Sequence, residues 1–80
     1  MDRKIEPLLT KLISEKLGID EMDVQPESRF CEDLGTDSLD FIELIMEIEK
    51  TFNIIISDDE NRKLETVHDA GTLIAEKLAS

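Results

Sequence analysis

The side chain in this sequence that is best suited to chemistry is the hydroxyl group of Ser38. It lies between a glycine-containing turn and a segment with helical periodicity, directly after Asp37. Catalysis by this serine lacks support, because no Gly-x-Ser-x-Gly elbow surrounds it and the only histidine, His68, forms no evident triad with it. We therefore do not expect an enzyme.

A phosphorylated or phosphodiester-linked Ser38 agrees better with the local physics. The N-terminus of an α-helix carries about half a positive charge and free backbone N–H groups, and both favour phosphate oxygens. Asp37 is the expected N-cap of this helix, and Asp40 adds a negative charge to its first turn. Since both carboxylates would repel a phosphate, the attached group should point outward into solvent.

The charge of the chain restricts the classes of partner that it can bind. Its 80 residues include 20 acidic and 9 basic side chains, which gives a net charge of −11. Such a surface repels nucleic acid and anionic membranes and attracts basic protein surfaces. We expect protein partners and no binding to nucleic acid.

Cys31 is the only cysteine, so an internal disulfide and a Cys-based zinc site are both excluded. We expect its side chain to fill space beside Phe30. No loop has the alternating oxygen ligands of an EF-hand, and no metal site is predicted. No apolar run approaches the roughly 20 residues of a membrane span, and no signal peptide is recognised, so we expect one soluble, cytoplasmic domain over residues 1–80.

The hydrophobic pattern predicts an all-α protein, a four-helix bundle with three longer helices and a short third one. Asp2 is the expected N-cap of the first helix, and Gly18 is the expected stop. Capping boxes begin the third and fourth helices. The four helices are expected from about Arg3 to Leu17, Ser38 to Phe52, Ser57 to Leu64 and Thr66 to Ala79.

The segment from Ile19 to about Thr36 has no clear periodicity and is expected to be a long loop. We expect its scattered apolar residues to attach it to the core. These residues are Ile19, Met22, Val24, Phe30 and Leu34.

The second helix has apolar residues on two opposite faces. At about 100° per residue, one face suits the core of the bundle and the other lies nearly opposite. The expected core face contains Phe41, Leu44, Ile45, Ile48 and Phe52; the opposite stripe contains Leu39, Ile42 and Met46, flanked by Asp40, Glu43, Glu47 and Glu49. Either the loop or the short third helix covers this stripe, or the stripe is an exposed docking surface for protein partners.

The stretch from Glu32 to Asp40, followed by Ile42-Glu43-Leu44-Ile45-Met46 and Phe52, closely resembles the acyl carrier proteins, in particular the free-standing carriers of type II fatty acid synthesis. The resemblance extends over essentially the whole chain. It includes Phe30 upstream and, downstream, the segments Ser57-Asp58-Asp59-Glu60 and Thr66-Val67.

This resemblance implies that Ser38, flanked by Asp37 and Leu39, receives 4′-phosphopantetheine from coenzyme A through a separate phosphopantetheinyl transferase. The thiol of the arm then holds acyl chains as thioesters, and the protein is a monomeric carrier without catalytic activity. The resemblance also implies docking to basic-surfaced ketosynthases, reductases, dehydratases and acyltransferases. The implied docking residues are Leu39, Asp40, Ile42, Glu43, Met46, Glu47 and Glu49; the implied acyl pocket is lined by Phe41, Leu44, Ile45, Ile56 and Leu64.

Some residues depart from the commonest pattern of fatty-acid-synthesis carriers. Phe41 is bulky where a smaller residue is frequent, so it is expected to shorten or partly fill the acyl cavity. Lys50 interrupts the acidic rim, and Ser57 occupies a position where proline is common. These departures keep a carrier for polyketide, aminoacyl or other specialised acyl groups as an alternative.

Two alternatives belong to other functional classes. The first is a small acidic adaptor that binds partners through Leu39, Ile42 and Met46 and leaves Ser38 unmodified. The second, less supported, is an acidic protein that binds divalent cations.

Overall fold

A computed structural model describes residues 5–79 of the chain as an all-α fold. Its helices are α1 (Ile5–Leu17), α2 (Ser38–Phe52), α3 (Asp58–Arg62) and α4 (Val67–Ala79), with a single turn of 3-10 helix at Glu21–Asp23. The predicted bundle with a short third helix is therefore confirmed. The expected cap Asp2 and the expected start at Arg3 lie outside the described residues.

Helix α1 places Ile5, Leu9 and Ile13 in the core at helical spacing. It ends at Leu17, and the φ of 69° at the next residue, Gly18, is the left-handed conformation that glycine adopts readily. The N–H groups of Gly18 and Ile19 both donate to the carbonyl oxygen of Ser14, at 2.9 and 3.1 Å. The expected stop of this helix is therefore confirmed.

Helices α3 and α4 begin at the predicted capping boxes. Ser57 Oγ accepts from the N–H of Glu60 at 3.2 Å, and Glu60 Oε1 accepts from the N–H of Ser57 at 2.9 Å. Asp69 and Thr66 exchange the same pair of bonds, each at 3.1 Å. Backbone N–H groups that donate to the Asp69 carboxylate, that of Thr66 first, lower the pKa of this carboxyl group.

The long loop is attached to the core by fewer apolar residues than expected. Val24 and Phe30 are buried, but Met22 is 84% exposed, so the expected contact of Met22 with the core is wrong. The reason is that Met22 lies in the middle of the 3-10 turn, whose three residues are all exposed, and Val24 after it is buried instead.

Backbone hydrogen bonds hold the loop against the beginning of α4. The N–H of Val67 donates to the carbonyl of Ser28 at 3.0 Å, and the N–H of His68 donates to that of Pro26 at 2.8 Å. The N–H of Phe30 donates in turn to the carbonyl of Glu65 at 3.0 Å. The loop is thereby fixed to a distant part of the chain just before it reaches α2.

The buried apolar side chains form one cluster that draws on the loop, the α2–α3 link and helices α1, α2 and α4. Its members are Ile5, Leu9, Ile13, Val24, Phe30, Leu44, Ile45, Ile48, Ile56, Val67, Ala70 and Ile74. Among the helices of residues 5–79, none has the length and apolar character needed to cross a membrane.

Candidate functional site

The turn before α2 is attached to the core through Thr36. Its Oγ1 donates to the carbonyl oxygen of Phe30 at 2.8 Å, and its N–H donates to the same oxygen at 3.1 Å. Thr36 is buried, so its hydroxyl group and its N–H are satisfied where water is excluded. The sequence does not indicate this role of Thr36, because the loop has no periodicity that shows which of its side chains face inward.

Gly35 supplies the backbone conformation of the same turn. Its φ is +72°, and a Cβ added there would meet no heavy atom within 4 Å. The glycine is therefore required by its left-handed conformation and not by lack of space.

Arg29 fastens the beginning of this turn. Its backbone N–H donates to Asp33 Oδ2 at 2.8 Å, and its guanidinium group lies 2.6 Å from Glu32 Oε2. The backbone bond from Arg29, followed by the bond from its guanidinium group, lowers the pKa of the Asp33 carboxyl group. These two carboxylates thus fix the conformation of the turn.

Ser38 is the first residue of α2, and it is exposed. Asp37 is extended, with a φ of −94° and a ψ of −176°, and its Oδ1 accepts from the N–H of Asp40 at 2.8 Å. The predicted N-cap is therefore confirmed. An exposed hydroxyl group at the N-terminus of a helix of 15 residues fits a phosphodiester, because solvent surrounds it and the helix dipole favours its charge.

The second apolar stripe of α2 is exposed. Leu39, Ile42 and Met46 expose 64%, 51% and 60% of their surface. The alternative in which the loop or the third helix covers them is therefore wrong. Helix α3 has only five residues, none of them buried, and the loop is held against α4. We call these three residues the exposed stripe.

The carboxylates around the exposed stripe differ in their contacts. Glu43 Oε1 lies 3.4 Å from Lys16 Nζ of α1. Glu49 Oε2 accepts from the N–H of Ile56 at 2.8 Å and so holds the link between α2 and α3. Within the part of the chain that the structure describes, Asp40 and Glu47 have no ion pair. The sequence predicts the acidic residues around the stripe. It does not predict the contacts of Glu43 with Lys16 and of Glu49 with Ile56, because these join α2 to other parts of the chain.

The residues expected to line an acyl pocket are packed against the common core. Leu44, Ile45 and Ile56 are buried, whereas Phe41 and Leu64 are half-buried and contact the same cluster. A cleft of about 210 Å³ lies elsewhere, between α1, the loop and α4. None of the five expected pocket residues lines this cleft; its lining includes Ile5, Leu9, Val24, Val67, His68 and Gly71.

Other chemically active side chains do not assemble into a second site. His68 is exposed at the beginning of α4, and residues 5–79 contain no group of three or more His, Cys, Asp or Glu side chains that could hold a metal ion. Cys31 is exposed, so the expectation that it fills space beside Phe30 is wrong. Its neighbour Phe30 takes the core position, and Cys31 Sγ lies 3.9 Å from Thr36 Oγ1.

Comparisons with known proteins agree with the sequence and with the fold. The family described as "Phosphopantetheine attachment site" matches residues 7–74. An acyl carrier protein from Karelsulcia muelleri (strain GWSS) is 59% identical over 70 residues, which cover 88% of this chain and 84% of that protein. A crystal structure of an acyl carrier protein from Thermotoga maritima matches with a TM-score of 0.80 and 36% identity, over 96% of this chain and 89% of that one.

Proposed function

The chain belongs to the acyl carrier proteins, and we propose that Ser38 is the residue to which its 4′-phosphopantetheine arm is attached. As a member of this family it is a carrier and not a catalyst. The thiol of the arm supplies the thioester that holds the acyl group. We propose that the acyl groups are intermediates of fatty acid synthesis and that residues 1–80 act as a single carrier domain in the cytoplasm.

The observation that supports Ser38 is its exposure at the beginning of α2, next to a turn that is fixed on both sides. Thr36 and Arg29 hold the turn, and Asp37 caps the helix through the N–H of Asp40. The serine is thus held at a fixed place on the backbone, where its hydroxyl group is open to a transferase and Leu39 is its exposed apolar neighbour.

The role of a carrier requires contact with a phosphopantetheinyl transferase and with enzymes that process the acyl group. We propose that ketosynthases, reductases, dehydratases and acyltransferases bind the exposed stripe through basic surfaces. The rim carboxylates would steer these surfaces during encounter, and the apolar centre would be buried on contact. The net charge of −11 fits this proposal and disfavours nucleic acid as a partner. The carrier would act as a monomer.

We propose that an acyl chain enters the core between the residues named above as pocket residues. Because Leu44, Ile45 and Ile56 are buried and in contact with the core cluster, room for a chain must be made by movement of side chains or helices. Phe41 contacts Phe30 at the edge of this cluster and would restrict the available volume. This contact favours short or compact cargo and is the observation that keeps a specialised acyl pathway as a second candidate.

Mass spectrometry tests the attachment site. The chain is incubated with coenzyme A and a phosphopantetheinyl transferase, and a gain of one phosphopantetheine is expected for the wild type and for Ser57→Ala. The same gain should be lost in Ser38→Ala. Ser57 is a suitable control, because it too is an exposed serine at the beginning of a helix. Absence of the gain in the wild type would favour the acidic adaptor instead.

A further inference from the structure

We propose that Lys16 determines the specificity of the surface around the exposed stripe, because it confines basic partner contacts to the Asp37–Asp40 end of α2. The inference rests on the proposed docking role of this surface. It concerns where along α2 a basic partner binds, which the proposed function leaves open.

The ion pair between Lys16 and Glu43 joins the last turn of α1 to the middle of α2. The atoms Lys16 Nζ and Glu43 Oε1 are 3.4 Å apart, and the two side chains are 34% and 47% exposed. A partner can therefore reach Glu43, but its cation must compete with a lysine that is already in place. The competing lysine belongs to the same chain and is already within ion-pair distance of Glu43 before a partner binds.

The charged side chains in the hollow beside this ion pair balance one another. A hollow of about 190 Å³ is lined by Lys16, Glu43, Met46, Glu47 and Lys50. Two ammonium groups and two carboxylates thus surround the exposed side chain of Met46. The hollow around Met46 therefore offers apolar contact without a field that attracts one sign of charge.

The other end of the surface has a different charge. Asp37 and Asp40 lie beside Ser38, both are exposed, and neither forms an ion pair with residues 5–79. Within α2 the only basic residue is Lys50, three turns away from this end. A basic side chain that arrives here meets two carboxylates and no competing lysine.

The partner that fits this surface places its arginine or lysine residues next to Ser38. Opposite Met46 it presents apolar side chains or charges of both signs. A partner whose basic patch extends along the whole of α2 would leave cations facing Lys16 and Lys50, which is unfavourable. Lys16 thus weakens the binding of partners whose basic patch covers the whole length of α2.

Nuclear magnetic resonance (NMR) titration of the unmodified chain with hexa-arginine tests this inference. In the wild type, the side-chain carboxyl signals of Asp37 and Asp40 should shift more than those of Glu43 and Glu47. In Lys16→Gln the shifts should extend to Glu43, and the peptide should bind roughly two- to fivefold more tightly, in keeping with the modest strength of an exposed ion pair. Adding Glu43→Gln to this variant should remove the gain.

Lys63→Gln is the matched control, because it removes one exposed positive charge at the end of α3, away from the pair. Equal tightening by Lys16→Gln and Lys63→Gln would overturn the inference, as would equal shifts of Asp40 and Glu43 in the wild type. The titration does not involve modification of Ser38. A chain that a transferase leaves unmodified would therefore contradict the proposed function and not this result.

Discussion

The ring of Phe41 on α2 packs against the ring of Phe30 in the loop, with centroids 5.3 Å apart and planes inclined by 58°. This tilted arrangement is favourable for aromatic pairs. Phe30 is fully buried, and Phe41, which contacts it, is half-buried. The pair therefore closes the edge of the core beside the first turn of α2, which carries Ser38.

Replacement of Phe41 by threonine should enlarge the space available to an acyl chain. When an octanoyl group is loaded on the arm, NMR signals of the Leu44 and Ile45 methyl groups should shift more in Phe41→Thr than in the wild type. Ile42→Thr serves as the control, because Ile42 is exposed on the opposite face. Equal shifts in the wild type and in Phe41→Thr would show that Phe41 does not limit the cavity.

Glu49 should contribute to stability more than its neighbour Glu47 does. Its carboxylate accepts the N–H of Ile56 at 2.8 Å, a bond that Glu49→Ala removes. We expect a loss of about 1–2 kcal/mol in the free energy of unfolding, since a hydrogen bond to a charged group is lost at a partly buried site. Glu47→Ala should change it by less than about 0.5 kcal/mol. Urea denaturation of both variants measures the difference, and equal losses would contradict the assigned role of Glu49.

The stability of the chain should depend on pH through Glu60. The Lys77 ammonium group, 2.7 Å away, and the N–H of Ser57 lower the pKa of Glu60 from its usual 4.5 to about 2. Because the folded chain favours the charged form, this contribution is complete above pH 4.5 and is lost as the pH falls toward 2. Glu60→Gln should therefore be less stable than the wild type at neutral pH and equal to it near pH 2.

Urea midpoints at several pH values measure this difference. Glu21→Gln is the control, because it changes the net charge equally at an exposed position of the 3-10 turn that forms no ion pair with residues 5–79. A difference between Glu60→Gln and the wild type that stays constant from neutral pH to pH 2 would exclude this role for Glu60.

Two glycine replacements should have opposite effects on stability. A Cβ added at Gly71 in α4 would lie 3.8 Å from Leu9 Cδ2, an ordinary contact, so Gly71→Ala should stabilise the helix by up to ~1 kcal/mol. Gly35→Ala should destabilise the chain by about 1 kcal/mol, because its φ is +72°. Thermal denaturation followed by circular dichroism compares the two, and a stabilising Gly35→Ala would contradict the described turn.

The features that the sequence alone predicted are those fixed by local interactions. The caps at Asp37 and Ser57 and the stop at Gly18 involve residues within one or two turns of each other, so their spacing reveals them. The exposed stripe followed from helical periodicity combined with the small number of other helices. Helix α3 ends at Arg62 instead of about Leu64. Leu64 lies after the end of the helix and packs against the core.

The features that could not be predicted depend on contacts between distant parts of the chain. The pairing of Lys16 with Glu43 and the bonds from Val67 and His68 to the loop have no signature in the spacing of residues. The apolar character of Met22 predicts a contact with the core and that of Cys31 a filler beside Phe30, but the loop has no period that indicates which side chains face inward. The acyl pocket stays a prediction, because its proposed residues belong to the core cluster or pack against it.

The hydrogen bonds between the loop and the beginning of α4 have a consequence for the order of folding. Val67 and Ser28 are separated in sequence by the whole of α2 and α3, so their bond requires closure of a long segment and the associated loss of chain entropy. The bond from Phe30 to Glu65 closes the same segment, and Phe30 is also the residue that holds Thr36. The turn before Ser38 is thus held by local bonds from Arg29 and Thr36 and also by this pairing across the sequence. A nascent chain that lacks α4 would have only the local bonds, so we expect a transferase to modify its serine more slowly than that of a chain with α4.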